Sequence, residues 1–212
     1  MMDGMTSALW SFAVVAGLVT IVPGLDTALV LRAALTRGRR VAFATALGVN
    51  TGVLVWGAAA AAGLSALLTA SQVAFTALRY AGAAYLVWFG VSMIVKARRP
   101  AQGVAEPAVR EGGGLVSAWA RGALTNLLNP KIGVFYVALL PQFLPQEAPP
   151  LVGGLLLALV HNVEGLAWFT LLIFGAGAAR SWLERPVARR VIDRVTGTVL
   201  VAFGLRLALS PQ

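Results

Sequence analysis

Four ionisable side chains sit in stretches otherwise fit only for hydrocarbon: Asp26, Lys131, His161 and Glu164. Asp26 is the sole ionisable group between Ala8 and Leu31 and closely follows Pro23-Gly24, while Lys131 directly follows Asn129-Pro130. His161 and Glu164, with Asn162 between them, are spaced i, i+3 and therefore share a helix face. A charge at the centre of a bilayer costs roughly 2.5 to 3.5 kcal/mol, so such groups turn to the bundle interior, pair with one another, or handle an ion or a charged solute. A carboxylate near histidine can exchange protons at physiological pH. Proline removes a backbone donor and breaks the helix, and the half-helix that restarts offers free N–H groups and the positive end of its dipole to an anion. The bland alternatives are a structural ion pair, such as Glu164 with Lys131, and kinks that only shape packing.

These groups have to be positioned by membrane-spanning helices. The 212-residue chain is 58% hydrophobic and 12% charged, with a mean hydropathy of +0.81, which marks an integral membrane protein. Six apolar spans can be counted, 9–31, 41–68, 73–95, 122–143, 151–178 and 191–209, each long enough to cross. Counted inward from Arg32 and from Arg121, Pro23 and Pro130 both lie roughly 13 Å deep. His161, Asn162 and Glu164 lie about 15 Å from the start of span five. Arginines and lysines gather in the links after spans one, three and five, including Arg37, Arg39, Arg40, Lys96, Arg98, Arg185 and Arg190. The two remaining links hold Glu147 alone, so the positive-inside rule places the odd links in the cytoplasm and both termini outside, in the periplasm.

The Pro-, Gly- and charge-rich stretch 97–114 reads as a cytoplasmic linker between two three-span halves, 1–96 and 115–212, of a single transmembrane domain. The halves resemble each other. Ala46-Leu47-Gly48-Val49-Asn50 with Leu54 and Trp56 matches Ala158-Leu159-Val160-His161-Asn162 with Leu166 and Trp168 at identical spacings, and Pro23 stands opposite Pro130. Three spans per half require the second half to be inverted in the membrane. The expected fold is thus all-α and polytopic, with six transmembrane helices in two inverted three-helix repeats and breaks in helices 1 and 4. Gly48 and Gly52 form a small-xxx-small pair that lets helix backbones approach closely.

Several functions are disfavoured. There is no cysteine and one histidine, so no thiolate or multi-histidine metal site is expected. The net charge of +9 is spread over short blocks between spans rather than along one face, which argues against nucleic acid. The sequence contains no phosphate loop of the G-x-x-x-x-G-K-[ST] type and no nucleophile elbow, so neither ATP coupling nor an enzyme is expected, and no cofactor. The apolar run behind Met1 to Ser7 is too long for a signal-peptide core and is expected to stay as the first span.

The chain resembles the LysE/RhtB family of bacterial amino-acid exporters. The resemblance rests on Val22-Pro23-Gly24-Leu25-Asp26 followed by Gly38-Arg39-Arg40, on Ala46 to Gly52, on Arg79 to Leu86, and on Leu124-Thr125-Asn126-Leu127-Leu128-Asn129-Pro130-Lys131 with Leu140-Pro141-Gln142-Phe143 downstream. Two positions depart from it: Leu25 stands where the family usually has a second proline, and Val53 where many members carry an acid that Glu164 could replace. The resemblance implies export of amino acids across the bacterial inner membrane, coupled to the proton gradient, by a chain that is open to homo-oligomerisation. Under it, the solute carboxylate is expected near Pro23-Gly24 and Pro130, with Asn50, Asn126, Asn129 and Asn162 as hydrogen-bond partners. Asp26 or Glu164 would take the ammonium or the coupling proton, with His161 and Lys131 as their neighbours. Export of another solute, such as a divalent cation, and a non-transporting membrane scaffold are the alternatives.

Overall fold

The computed structural model describes residues 2–70, 72–97, 113–144, 149–183 and 185–209, so the expected linker falls almost wholly outside the described residues. Regular structure among the described residues is α-helical: α1 (Met2–Ile21), α2 (Leu25–Thr36), α3 (Arg39–Ala70), α4 (Gln72–Lys96), α5 (Leu115–Leu127), α6 (Pro130–Phe143), α7 (Pro150–Phe174), α8 (Ala176–Leu183) and α9 (Pro186–Leu209). Spans one and four are each two helices. Pro23 and Pro130 lack the N–H that would continue the ladder, and the chain bends by 56° at both places.

Length and apolar composition qualify α3 and α7 as spans on their own and the bent pairs α1–α2 and α5–α6 as one span each. That makes four among the described residues, where six were expected. The helices α4 and α9, of 25 and 24 residues, have the length, but Arg79 interrupts the first, and Arg189, Arg190, Asp193 and Arg194 crowd the start of the second. Span five also stops short of its expected end at Ala178: α7 closes at Gly175, whose N–H bonds the Leu171 carbonyl, and the chain restarts as the short α8.

Faces are inverted relative to a water-soluble protein. On α7, Val163 and Leu171 are 68% and 67% exposed, while His161 and Asn162 are buried. An apolar exterior, with the few polar groups turned inward, is what a hydrocarbon solvent selects.

Glycines set the helix contacts. A Cβ on Gly48 would lie 1.9 Å from the Trp119 carbonyl oxygen and one on Gly122 2.1 Å from that of Thr45, so α3 and α5 touch backbone to backbone. Gly57 and Gly154 bring α3 against α7 in the same way, and Gly90 and Gly197 bring α4 against α9. Two apolar clusters result. One gathers Phe12, Phe135, Tyr136, Phe143 and Leu157, with Val22 and Ile132 among its members; the other gathers Val30, Ala46, Val49, Phe169 and Ile173. The helix breaks, with Asp26, lie at the seam between them.

The basic link ends also meet. Arg37 Nη2 donates to the Gly113 carbonyl, and the Arg39 guanidinium lies 4.8 Å from the centre of the Phe174 ring. Links one and three and the end of span five therefore share one side of the bundle.

Candidate solute site at the crossed helix breaks

Each break holds on to the other. The Asn126 and Asn129 Nδ2 groups, from the end of α5 and the start of α6, donate to Asp26 Oδ2 at 3.0 and 3.1 Å. In return, Lys131 Nζ donates to the carbonyls of Val19 and Val22 at the end of α1, both at 3.1 Å. Those carbonyls belong to the last turn before Pro23, where no intrahelical donor is left, so a lysine from the opposite break supplies the missing protons. Lys131 is also the charge that acts on Asp26. Gly24 makes room for it: a Cβ there would come within 3.3 Å of Lys131 Nζ.

The two restarted half-helices differ. At α6, the Asn129 side chain accepts from the Lys131 N–H, Pro130 has none to give, and the Ile132 and Gly133 N–H groups bond the Asn129 carbonyl. The expected free N–H groups near Pro130 are therefore absent, because an asparagine cap followed by proline completes that terminus. At α2, by contrast, Gly24 is the cap and no side chain bonds the first-turn amides. Of the two restarted half-helices, α2 is the one whose first turn lacks a side-chain cap.

Expected site residues come together around a small cavity lined by Asp26, Asn50, Asn126, Lys131 and His161, among others, about 30 Å³ of which is open to the centre of a water molecule. That is room for one or two waters. Asn50 is buried and donates to its own Ala46 carbonyl, with its Oδ1 against Gly165. Asn162 is buried with Oδ1 unpartnered, as are Asp26 Oδ1, Asn126 Oδ1 and Glu164 Oε2. These four are acceptors when the acids are ionised, and a fifth unpartnered buried atom among the described residues, Trp168 Nε1, is a donor; Asp26 and Asn126 are the two of these residues that line the cavity.

His161 and Glu164 do not pair, although they share a helix face. The imidazole stacks on Tyr136, with Nδ1 3.1 Å from the Tyr136 hydroxyl and Nε2 3.0 Å from that of Thr20. Either neutral tautomer is satisfied there, because both hydroxyls donate or accept. Nor does Glu164 pair with Lys131, whose ammonium is spent on the α1 carbonyls; the Glu164 carboxylate packs instead against Gly17 of α1. Thr20 and Tyr136 are thus site residues the sequence reading missed. Gly52 is a third. It was read as packing, but a Cβ there would lie 2.6 Å from Asn126 Oδ1, so the glycine seats the asparagine that holds Asp26. Gly52→Ala is expected to dislodge Asn126 and lower transport about tenfold, the equivalent of one hydrogen bond to a charged group, with folding intact. Rates for Gly52→Ala equal to wild type at equal expression would show that the seat is not needed. Among the described residues, no three His, Asp or Glu side chains group as a metal site.

The sequence profile of the LysE type translocator family matches residues 8–211. The chain belongs to that family. As a LysE-type translocator it is a membrane transport protein and not an enzyme. It is 30% identical to the membrane protein YrhP of Bacillus subtilis (strain 168), over 96% of this chain and 99% of that one. It is 28% identical to a homoserine/homoserine lactone efflux protein of Salmonella typhi, over 94% and 96% of the two chains, and 30% identical to a leucine efflux protein of Klebsiella pneumoniae, over 93% of each. No solved structure matches this LysE-type chain at a significant level.

Proposed function

We propose that this LysE-type translocator exports amino acids or their close derivatives across the bacterial inner membrane, in exchange for protons. The observation that carries the reading is the uncapped start of α2 beside Lys131, with the Asp26 carboxylate held a few ångströms away by Asn126 and Asn129. A zwitterion presents both charges on one carbon. Its carboxylate suits the α2 amides and the Lys131 ammonium, and its ammonium suits the unpartnered Oδ1 atoms of Asp26 and Asn126. The relatives named for homoserine and leucine efflux support an amino-acid cargo. Because the cavity is smaller than any amino acid, loading requires the breaks to separate.

In this reading the chain has six spans in two inverted repeats, 1–96 and 115–212, joined by a cytoplasmic linker, with both termini periplasmic. Equal bends at the two breaks support the repeat, and the meeting of the basic link ends supports the orientation. Glu164, half-buried with Oε2 unpartnered, carries the proton.

The test is efflux from preloaded vesicles over a panel of zwitterionic amino acids and divalent cations. Wild type is expected to export amino acids, Asp26→Asn to do so about 10- to 100-fold more slowly, and Glu164→Gln to lose the pH dependence of the rate. No amino-acid efflux above vesicles without the protein would refute the export reading, and a full wild-type pH profile for Glu164→Gln would remove Glu164 from the proton path.

A further inference from the structure

Beside the small polar cavity lies a larger apolar groove of about 450 Å³, with Trp56, Tyr85, Leu128, Asn129, Val134 and Val137 among its lining residues; it opens to the outer surface of the bundle at Leu128 and Val137, which are 72% and 40% exposed. Its size is that of a small-molecule pocket, and its walls are almost wholly apolar. It is built by the second break: the chain from Leu127 to Pro130 forms one wall, and Trp56 of α3 is seated over Gly133, where a Cβ would come within 2.9 Å of the indole.

The two cavities share a partition. Asn129 lines the apolar cavity, yet its Nδ2 is 3.1 Å from Asp26 Oδ2; Trp56 lines it too, and its Nε1 reaches the Asn126 carbonyl at 3.4 Å. A group held at Asp26 is thus one side chain away from 450 Å³ of apolar space. We infer that this cavity is the side-chain subsite of the carrier and that its cargo class is amino acids with large apolar side chains, branched aliphatic or aromatic, whose charged ends sit at Asp26 and the start of α2. The inference rests on the export reading above and adds to it what the far end of the solute must be. No Asp, Glu, Lys, Arg or His side chain lines this groove, so a basic or acidic side chain would sit there without a charged partner. A small hydroxylated one would leave most of the volume unfilled.

Val134 and Val137 point the test. Initial efflux rates of leucine, phenylalanine, alanine, threonine and lysine are measured in vesicles for wild type, for Val134→Phe, which fills the cavity, and for Val163→Phe, the same change on the exposed face of α7. Wild type is expected to favour leucine and phenylalanine over alanine and threonine by at least about tenfold, the least that one methylene decides in an apolar pocket. Val134→Phe is expected to lower that leucine-to-alanine ratio about tenfold, and Val163→Phe to leave it as in wild type. Val137→Phe, approaching from the next turn, serves if Val134→Phe does not fold. Efflux of small or charged amino acids in preference to leucine would overturn the subsite while leaving the export reading standing. So would a uniform loss of all rates in the filled variants, or release of a co-purified lipid with no change in ratio, which would make the occupant an acyl chain. No efflux of any of the five by wild type would remove both readings together.

Discussion

Replacing Lys131 with methionine is expected to lower the stability of the folded protein by about 2 to 6 kcal/mol, from about 1 to 3 kcal/mol for each buried carbonyl left without its donor. Two losses coincide. Asp26 keeps its two asparagine donors but loses the charge opposite it, and the carbonyls of Val19 and Val22 lose the donor that serves them. The size of the first loss can be separated from the second. In the double variant Asp26→Asn with Lys131→Met no unpaired charge remains, so it is expected to recover part of the stability, and what stays missing measures the orphaned carbonyls. Thermal unfolding of the purified protein in detergent checks this; a single variant as stable as wild type would mean that Lys131 is not holding α1.

Gly122→Ala is the second large effect. Its Cβ would sit 2.1 Å from the Thr45 carbonyl oxygen and 3.0 Å from the Val49 nitrogen, and backbone cannot rotate out of the way. Overpacking of this kind costs about 1 to 3 kcal/mol or more. Function should suffer further, because Asn126 is one turn along α5 from Gly122, so pushing α5 off α3 draws the amide away from Asp26. Gly63→Ala and Gly177→Ala are the comparison, since a Cβ at either meets nothing within 4 Å. They are expected to stay within about 0.5 kcal/mol of wild type. Efflux by Gly122→Ala at the rate of Gly63→Ala would show that the α3–α5 contact can slacken without cost to the site.

The breaks were legible in the sequence because proline and glycine act locally: Pro23-Gly24 and Asn129-Pro130 dictate a missing donor and a restart whatever surrounds them. The helices and their apolar exterior were legible for the same reason. What could not be read was which partner each polar group would choose. His161 and Glu164 share a face at i, i+3, but that spacing fixes only an opportunity, and Tyr136 and Thr20 from two other helices offered the imidazole a better-matched pair of hydroxyls. Asn129 read as a solute ligand; its side chain also caps α6 with Oδ1 and reaches Asp26 with Nδ2, a division that depends on α2 lying against the break between α5 and α6. Gly52 was indistinguishable from the other glycines of α3 until Asn126 was seen against it.

The exchange of bonds between the breaks also bears on what an exporter must avoid doing. A carrier that swings across the membrane unloaded spends the ion gradient on nothing. Here, the rest position is fastened by both breaks at once: Asp26 cannot leave α5 and α6 without giving up two amide donors, and α1 cannot leave α6 without abandoning two carbonyls that Lys131 serves. In the proposed reading, a zwitterion offers its ammonium to the Asp26 carboxylate and its carboxylate to Lys131, and the Val19 and Val22 carbonyls must take a donor from elsewhere, such as water entering as the breaks part. For the cargo proposed above, the four bonds that fasten the breaks to each other are the ones that loading has to replace together.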